Sequence, residues 1–414
     1  MSRVYRLFVG IDWANESHQV CVLDTQGKKV VEFSIEHSAE GMDKLASRLL
    51  EWCAEPQSVA VAIELSRGAL VEGLLERGFA VYGVNPKQLD RFRDRYSPAG
   101  AKDDRRDAHV LADALRTDTG RLRALQVDEP LVIQLRELSR LYEELRVDLG
   151  RLANRLREQL HRYFPQLLLL NSSADEPWLW SLLLKAPTPH QARRLRKAQL
   201  ASLLKQHRIR RFSASELHDV LAQPPLRLAA GSVEAASEHG RSLMPRLTLT
   251  HQQLRETERR IRKLCQQLCE RNDSETENCE HRDAEILLSM PGAGVLNGAA
   301  MLSEASQPLR QRDYHTTRAL TGIAPVTKQS GKHRVVVMRR ACNKRLRNAI
   351  YSWALCSIPN DSASRAYYHR CRARGLTHGQ ALRCLGDRLL RVLFAMLRDR
   401  TLYDPTRFQA VRAA

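Results

Sequence analysis

The sequence lacks a long hydrophobic run. No uninterrupted apolar stretch approaches the roughly 20 residues that a membrane-spanning helix needs. The opening residues, MSRVYRLFVG, lead straight into a predicted strand and contain no apolar core of a cleavable secretion signal. We therefore expect a soluble protein of the cytoplasm.

Paired cysteines are also missing. The nine cysteines are odd in number, are scattered and include no C-x-x-C pair, which is typical of free thiols in a reducing compartment. A single group suggests zinc, and it consists of Cys265, Cys269, Cys279 and His281. Its spacing matches no standard zinc site, so we interpret these residues as unpaired side chains near a helix end.

Acidic residues are scarce outside the N-terminal part of the chain. The 414 residues carry a net charge of +19, but residues 1–120 hold 16 Lys+Arg and 19 Asp+Glu, whereas the remainder holds 50 and 28. So basic a region favours a polyanionic partner, DNA or RNA, because each neutralised phosphate releases counterions. The length of the chain predicts two or three domains.

The acids near the N-terminus follow predicted strands. An apolar run at 7–11 ends in Asp12, and a second run, at 58–63, ends in Glu64. With β-rich runs at 18–23, 28–35 and 79–84 and helical patterns at 39–53 and 68–77, the predicted order is β-β-β-α-β-α-β. This is the order of the ribonuclease H-like fold. Two strands that each end on an acid can hold a metal ion between them.

Two further acids open a predicted helix that runs from about residue 103 to residue 116. Asp104 and Asp107 are three positions apart, so they share one helix face and can reach one cation, Mg²⁺ or Mn²⁺. Asp103 is assigned to the cap or the first turn, where the helix dipole favours an acid. For Asp104 and Asp107 taken alone, a solvated start of a helix is the better explanation.

Apolar residues with heptad spacing predict two long helices. The first seam runs from Leu131 to Leu156, and the second, from Leu254 to Leu268, lies in a helix predicted from about residue 248 to residue 271. The two helices could pair within one chain or between chains. We favour a coiled coil that serves dimerisation, with simple helical packing as the alternative. These helices define a middle domain, 126–282, which follows an N-terminal domain, 1–125. The middle domain contains a helical insertion at about 165–246, whose basic residues suggest contact with nucleic acid.

A mainly helical C-terminal domain is predicted for residues 283–414. Its MPGAG segment at 290–294 resembles half of a helix-hairpin-helix motif, whose backbone amides can face a phosphate. Further along, Ser330 lies in a Gly-flanked turn, and residues 328–347 around it contain no acid. Cations there would favour ionisation of the serine hydroxyl and stabilise charge on phosphorus. From these residues alone, Ser330 is equally well explained as a nucleophile or as a turn serine beside a nucleic-acid-binding patch. The basic residues of the patch are Lys328, Lys332, His333, Arg334, Arg339, Arg340, Lys344, Arg345 and Arg347.

Together, these motifs resemble those of a known family. The segments are GIDWA at 10–14, the strand ending in Glu64, K-x-D-x-x-D-A at 102–108, MPGAG, and G-I-A-P-V-T-K-Q-S-G at 322–331. They are similar to the DEDD transposases of bacterial insertion sequences, the IS-one-ten/IS-eleven-eleven family of bridge-RNA-guided serine recombinases. The likeness covers residues 4–116 and about 283–400, in the family's order.

The resemblance implies a transposase that cuts and rejoins DNA. Asp12, Glu64, Asp104 and Asp107 would form a RuvC-like tetrad for Mg²⁺ or Mn²⁺, and Ser330 would hold one DNA end as a covalent phosphoserine. The metal site of one protomer would join the serine of another in a homodimer or higher homo-oligomer. A structured guide RNA would pair with donor and target DNA. The implied protein is bacterial and nucleoid-associated.

Three other activities share parts of this pattern. A metal-dependent RuvC-like junction endonuclease would use water as the nucleophile, with Ser330 serving to bind DNA. A sugar or acetate-type kinase shares the opening strand and its acid, but the sequence lacks a second, Gly-rich phosphate loop. A non-catalytic nucleic-acid-binding module leaves the four acids unexplained.

Overall fold

The computed structural model describes residues 4–64, 67–96, 103–270, 282–331 and 333–405. Four residues discussed above, Lys102, Cys279, His281 and Lys332, lie outside these ranges. The chain divides into two compact units, one ending at Glu129 and the other beginning at Pro130. Among the described residues, no helix is both long and apolar enough to cross a membrane.

The N-terminal unit is an α/β structure built on one six-stranded sheet. Its strand order is β3-β2-β1-β4-β5-β6, in which β4 pairs parallel with both β1 and β5 and the other pairs are antiparallel. The predicted order of elements is confirmed, and it is consistent with a ribonuclease H-like fold. The strands are β1 Leu7–Asp12, β2 Ser17–Leu23, β3 Lys29–Glu36, β4 Val59–Ile63, β5 Ala80–Gly83 and β6 Arg123–Ala124, and the helices are α1 Ala39–Trp52, α2 Ala69–Glu76, α3 Pro86–Asp94 and α4 Asp104–Asp118.

The two faces of this sheet have separate cores because successive side chains of a strand point to opposite sides. Val9 and Ile11 of β1 pack with Leu45 and Leu49 of α1 on one side. Phe8 packs with Leu111 of α4 on the other. The residues of β1 at even positions therefore face α4.

Gly10 sets the distance between β1 and α4. A Cβ atom at this position would lie 1.9 Å from the carbonyl oxygen of Ala108 and 2.5 Å from the amide nitrogen of Ala112. Only a residue without a side chain lets the helix backbone approach the strand this closely. The GID segment thus fixes the position of α4, which carries Asp104 and Asp107.

Two elements of this unit were not predicted from the sequence. After Asn85, where no helix was predicted, the chain forms α3, with Pro86 in the first turn and the Asn85 side chain accepting a 3.0 Å hydrogen bond from the amide of Lys87. Proline is well tolerated at the first helical position because its missing N–H has no helical partner there. The short strand β6 was also missed.

The C-terminal unit is mainly helical. Its one described sheet is a hairpin of β7 Val326–Ser330 and β8 His333–Val337. Its helices are α5 Pro130–Tyr163, α6 Pro177–Lys185, α7 Pro189–Ala192, α8 Lys197–Gln206, α9 Ala214–Ala222, α10 Ser232–Cys269, α11 Asp283–Ser289, α12 Gly294–Glu304, α13 Ser306–Arg310, α14 Tyr314–Leu320, α15 Lys344–Asn360, α16 Ser362–Ala373 and α17 His378–Asp399.

The two long helices, α5 and α10, pack against each other within the chain. Buried seam residues include Leu135 and Leu156 of α5 and Leu254 and Ile261 of α10. The second helix begins at Ser232 instead of near residue 248, and Pro245 lies inside it. A role for these helices in dimerisation stays a prediction.

Both ends of the long helices join larger cores. Trp178 and Trp180 of the insertion share a core with Leu156, whereas Trp353 belongs to a core that also contains Leu135 and Ile261. The predicted boundary between the middle and C-terminal domains therefore lies inside one compact unit. It stays a prediction.

Three helices of the C-terminal core meet at a buried ion pair. Arg140 Nε of α5 lies 2.8 Å from Glu304 Oε1 of α12, and Asn343, which caps α15, donates to Glu304 Oε2 at 2.9 Å. Burial alone would raise the pKa of Glu304, but Arg140 and Asn343 outweigh it and the pKa lies below its ordinary value. This contact fixes the start of α15, next to the basic patch.

Candidate active site

Asp12 and Glu64 lie at the same edge of the N-terminal sheet. Asp12 is the last residue of β1, Glu64 directly follows β4, and the preceding residues, Ile11 and Ile63, are neighbours in parallel register. Both positions are even, so by strand alternation their side chains are on the sheet face that α4 covers. Both side chains are partly exposed.

The acids of α4 differ sharply in their surroundings. Asp103 is the N-cap and accepts from the amide of Arg105 at 3.4 Å, which confirms its assignment to the helix cap. Asp104 is exposed, whereas Asp107 is 1% exposed. Although the two acids are one turn apart on the same helix, Asp104 is in solvent and Asp107 is inside the protein.

Asp107 has one partnered oxygen and one unpartnered oxygen. Its Oδ1 accepts a 2.6 Å hydrogen bond from Arg93 Nε of α3. Its Oδ2 is buried and has no hydrogen-bond partner among the described residues. Buried polar atoms are normally satisfied, so an orphaned carboxylate oxygen calls for an explanation such as an ion.

This donor set suits a hard divalent cation, which prefers carboxylate oxygens. Within the described ranges, however, no three His, Cys, Asp or Glu side chains are arranged closely enough to hold a metal ion. Arg93 supplies the positive charge at Asp107 instead. The residues present fit a divalent cation chemically, although the acids are not drawn together around one point.

A ring cluster that sequence reasoning missed fixes the chain just after Asp12. The buried His18 accepts from the amide of Ala14 through Nδ1 at 3.3 Å, so its proton lies on Nε2, which is 2.9 Å from His37 Nδ1. The Trp13 ring stacks on His18. Burial, and then the neighbouring His37, lowers the pKa of His18, which favours this neutral form.

Ser330 lies at the tip of the C-terminal hairpin. It is the last residue of β7 and pairs across the turn with His333 of β8. Gly331 follows with φ +56°, a left-handed conformation that glycine adopts without strain. Ser330, Lys328, His333 and Arg334 are all exposed. The predicted Gly-flanked turn is thus a two-residue hairpin connection, which the runs VTKQS and HRVVV could have indicated.

The predicted basic patch divides into exposed and structurally engaged residues. Arg340 and Lys344 are exposed, as are Lys328, His333 and Arg334 of the hairpin, and Arg347 is partly buried. Arg339 Nε donates to the Ala324 carbonyl at 3.2 Å, and Arg345 Nε lies 3.0 Å from Glu143 of α5. Arg345 therefore contributes to packing between helices, and the hairpin supplies the most accessible charges.

Comparison with known proteins places the chain in a family. A family model for DEDD transposases of IS110, described as "Transposase", matches residues 9–165, and one described as "Transposase IS116/IS110/IS902 family" matches residues 284–369. The "Mini-circle putative transposase for IS117" of Streptomyces coelicolor is 32% identical over 97% of this chain and 96% of its own length. The chain belongs to the IS110 family of transposases.

Two further relatives agree with this assignment. The "Insertion element IS110 uncharacterized 43.6 kDa protein" of Streptomyces coelicolor is 30% identical over 96% of this transposase and 95% of its own length. "Putative transposase y4uE" of Sinorhizobium fredii is 51% identical, but over 50% of this chain and 58% of its own length. Transposases cleave DNA and transfer its strands, so DNA is the substrate of the family.

The matched ranges contain every proposed catalytic residue of this transposase. Asp12, Glu64, Asp104 and Asp107 lie within the first range, and Ser330 lies within the second. The pairing of Arg93 with Asp107 was not predicted, because it depends on the packing of α3 against α4.

The MPGAG turn of the transposase packs against the protein's own helix. A Cβ atom on Gly292 would lie 2.4 Å from the amide nitrogen of Ser357 in α15, and Trp353 Nε1 donates to the Pro291 carbonyl at 3.1 Å. The glycine thus serves close helix packing. A phosphate-binding use of this segment stays a prediction.

Proposed function

We propose that this transposase cuts and rejoins DNA through a covalent phosphoserine at Ser330, with a divalent metal held by the acids of the N-terminal unit. The observation that carries the proposal is the exposure of Ser330 at a hairpin tip that also presents Lys328, His333 and Arg334. An exposed hydroxyl beside these basic side chains is accessible to a phosphodiester of DNA.

The chemical step is a transesterification. Ser330 Oγ forms a bond to phosphorus while the bond from phosphorus to one deoxyribose oxygen breaks, and that oxygen takes a proton from solvent to become a hydroxyl. The serine proton leaves to solvent, and the exposed cations stabilise the charge that develops on the phosphoryl oxygens. Rejoining reverses the step with another DNA hydroxyl, so no nucleotide cofactor is consumed.

The acids proposed to hold Mg²⁺ or Mn²⁺ are Asp12, Glu64, Asp104 and Asp107. The orphaned Oδ2 of Asp107 and the parallel register of the strands that end at Asp12 and Glu64 support this assignment. A bound divalent ion would stabilise negative charge on phosphate oxygens and on a leaving oxygen. Arg93 would orient the Asp107 carboxylate by donating to its other oxygen, Oδ1.

We also propose that the functional form is a homodimer or higher homo-oligomer, with the metal acids of one protomer acting with Ser330 of another. A structured guide RNA that pairs with donor and target DNA is part of the same proposal. Family membership and the net charge of +19 support these partners.

The proposal is tested with a labelled suicide DNA substrate and denaturing electrophoresis. The wild-type protein should form a covalent protein–DNA adduct in the presence of Mg²⁺ and guide RNA, and Ser330→Ala should form none. Thr327→Ala removes an exposed hydroxyl from the same strand and is the matched control, which should form adducts normally.

The alternative is a RuvC-like junction endonuclease in which water attacks. The concentration of acids in the N-terminal unit favours this alternative because such a site needs no serine. It predicts cleaved DNA with phosphate ends, no adduct, and unchanged cleavage by Ser330→Ala.

A further inference from the structure

The insertion between the two long helices presents exposed cations that lack acidic partners. From Lys185 to Ser215 the chain has nine Lys or Arg residues and no Asp or Glu. Arg211 pairs with Glu176 at 2.8 Å. The others form no ion pair with any residue that the structure describes, and we call them the insertion face: Lys185, Arg193, Arg194, Arg196, Lys197, Lys205, Arg208 and Arg210.

These charges stand on a folded surface. Leu200, Leu203 and Leu204 of α8 are buried in the core of the insertion, so the helix that carries Lys197 and Lys205 is fixed. One group of cations stands at the start of α8, and another stands just beyond its end. A helix of 10 residues spans about 15 Å, which equals the rise of about four nucleotides in one strand.

The placement of charge opposes the stability of α8. Arg196 is the N-cap, Lys197 is the first helical residue, and the first turn contains no acid. The N-terminus of a helix carries partial positive charge, so cations there are unfavourable and anions are favoured. Lys197 Nζ donates to Ser215 Oγ at 3.1 Å, but no acid offsets the charge at this helix start, where an external anion would be favourable.

Several exposed arginines elsewhere in this unit are paired with acids. Arg151 lies 3.2 Å from Asp148, Arg255 lies 3.4 Å from Glu258, and Arg262 lies 2.7 Å from the same Glu258. At these positions both signs of charge lie side by side. The cations of the insertion face differ from them in having no acid beside them among the described residues.

We infer that the insertion face binds the sugar-phosphate backbone of a nucleic acid at a place separate from the residues proposed for chemistry. DNA and RNA share this backbone. The inference rests on the proposed function in one respect, which is that nucleic acid is the partner. It gives residues 185–210, which neither family model covers, a role in holding that partner.

The test is the salt dependence of binding by the full-length protein. Fluorescence anisotropy titrations would use one duplex DNA and one structured RNA of equal length at several salt concentrations. The variant Arg193→Gln/Arg194→Gln/Arg196→Gln/Lys197→Gln removes four charges of the insertion face. The control, Arg151→Gln/Arg241→Gln/Arg255→Gln/Arg262→Gln, removes four exposed charges that are ion-paired.

Each phosphate contact contributes about 0.9 to the slope of log affinity against log salt for duplex DNA. We expect the insertion-face variant to lower that slope by about 3 units and to weaken binding by about tenfold or more at moderate salt, for DNA, RNA or both. The control should change the slope by less than about 1 unit. The nucleic acid whose slope falls is the one bound there.

Unchanged slopes for both nucleic acids, or equal losses in the two variants, would overturn the inference. Far-ultraviolet circular dichroism should show that both variants are folded, since all eight substituted side chains are exposed. The readout is independent of chemistry. Absence of a Ser330 adduct would refute the proposed reaction while leaving the salt slopes interpretable.

Discussion

The guanidinium of Arg93 donates a 2.6 Å hydrogen bond from Nε to Oδ1 of Asp107, while Oδ2 of the same carboxylate is buried without a partner in the described part of the chain. Arg93 also pairs at 2.6 Å with Asp90, which is largely exposed. If Asp107 binds a metal ion as proposed, Arg93 would orient this ligand and tune its affinity, as hydrogen-bonding partners of metal ligands do. The pair therefore fixes the Asp107 carboxylate on α4, the helix that packs against β1.

Replacing Arg93 by Gln should destabilise the transposase in the absence of divalent metal. Asp107 would then be a buried carboxylate without a countercharge, and breaking a buried ion pair costs about 3–5 kcal/mol. Urea unfolding at neutral pH measures this loss. Adding Mg²⁺ or Mn²⁺ should recover part of it in the variant, because the cation replaces the lost charge.

Arg91→Gln is the matched control, since Arg91 is exposed on the same helix. Its effect on the free energy of unfolding should stay within about 0.5 kcal/mol. The double variant Arg93→Gln/Asp107→Asn should be more stable than Arg93→Gln alone, because the unpaired charge is gone. Equal stability of these two variants would show that the charge of Asp107 is not what Arg93 balances.

Gly10→Ala should displace α4 from the sheet. The added Cβ atom would lie 1.9 Å from the Ala108 carbonyl oxygen, so the backbone of strand or helix has to move. Overpacking of this kind typically costs about 1–3 kcal/mol, and the movement shifts Asp107 relative to Asp12. We expect a lower melting temperature and loss of adduct formation.

Gly120→Ala serves as the control, because a Cβ atom at Gly120 meets no atom within 4 Å. It should leave both stability and adduct yield close to those of the wild type. A Gly10→Ala protein that keeps full adduct yield would mean that the position of α4 does not matter to the chemistry.

The stability contribution of Glu304 should depend on pH. Its folded-state pKa lies below the ordinary value of 4.5, so the contribution is present above pH 4.5 and is lost as pH falls through the folded-state pKa. Glu304→Gln should cost about 3 kcal/mol at neutral pH, because Arg140 loses its buried partner. The difference in unfolding free energy between wild type and variant should shrink on acidification.

Glu137→Gln provides the comparison, since Glu137 pairs with the same Arg140 at 3.0 Å but has a side chain that is 64% exposed. An exposed pair contributes little, so its removal should change stability by less than about 1 kcal/mol. If the loss of unfolding free energy in Glu304→Gln did not change with pH, it would reflect packing instead of charge.

Mixing two inactive variants should restore activity if the acids and the serine act from different protomers. Glu64→Gln impairs the proposed metal acids and Ser330→Ala removes the proposed nucleophile, so each protein alone should form no adduct. Mixed oligomers combine the intact Ser330 of one protomer with the intact acids of another. Adduct on the Glu64→Gln chain, identified by a size tag, is the expected result, and none would indicate that both groups act within one chain.

The sequence predicts the N-terminal unit well because its periodicities are local. The strands ending at Asp12 and Glu64 and the cap at Asp103 depend on neighbours in the chain, and all are found. The contact between Arg93 and Asp107 joins residues 14 apart across two helices, and no local pattern encodes it.

The C-terminal unit was harder to predict because its boundaries depend on packing. Proline ordinarily ends or kinks a helix, yet α10 continues through Pro245 because Met244 and Leu247 are buried on either side of it. The hairpin that carries Ser330 required recognition of a two-residue turn between short strands. Once the two strands are paired in this register, His333 is necessarily the residue opposite Ser330.

The most direct test of the central claim is mass spectrometry of the trapped protein–DNA adduct after digestion with protease and nuclease. The account predicts a nucleotide phosphate attached to Ser330 in the peptide that contains the hairpin tip, formed in the presence of divalent metal. A nucleotide attached to any other residue, or cleaved DNA with phosphate ends and no modified peptide, would contradict it.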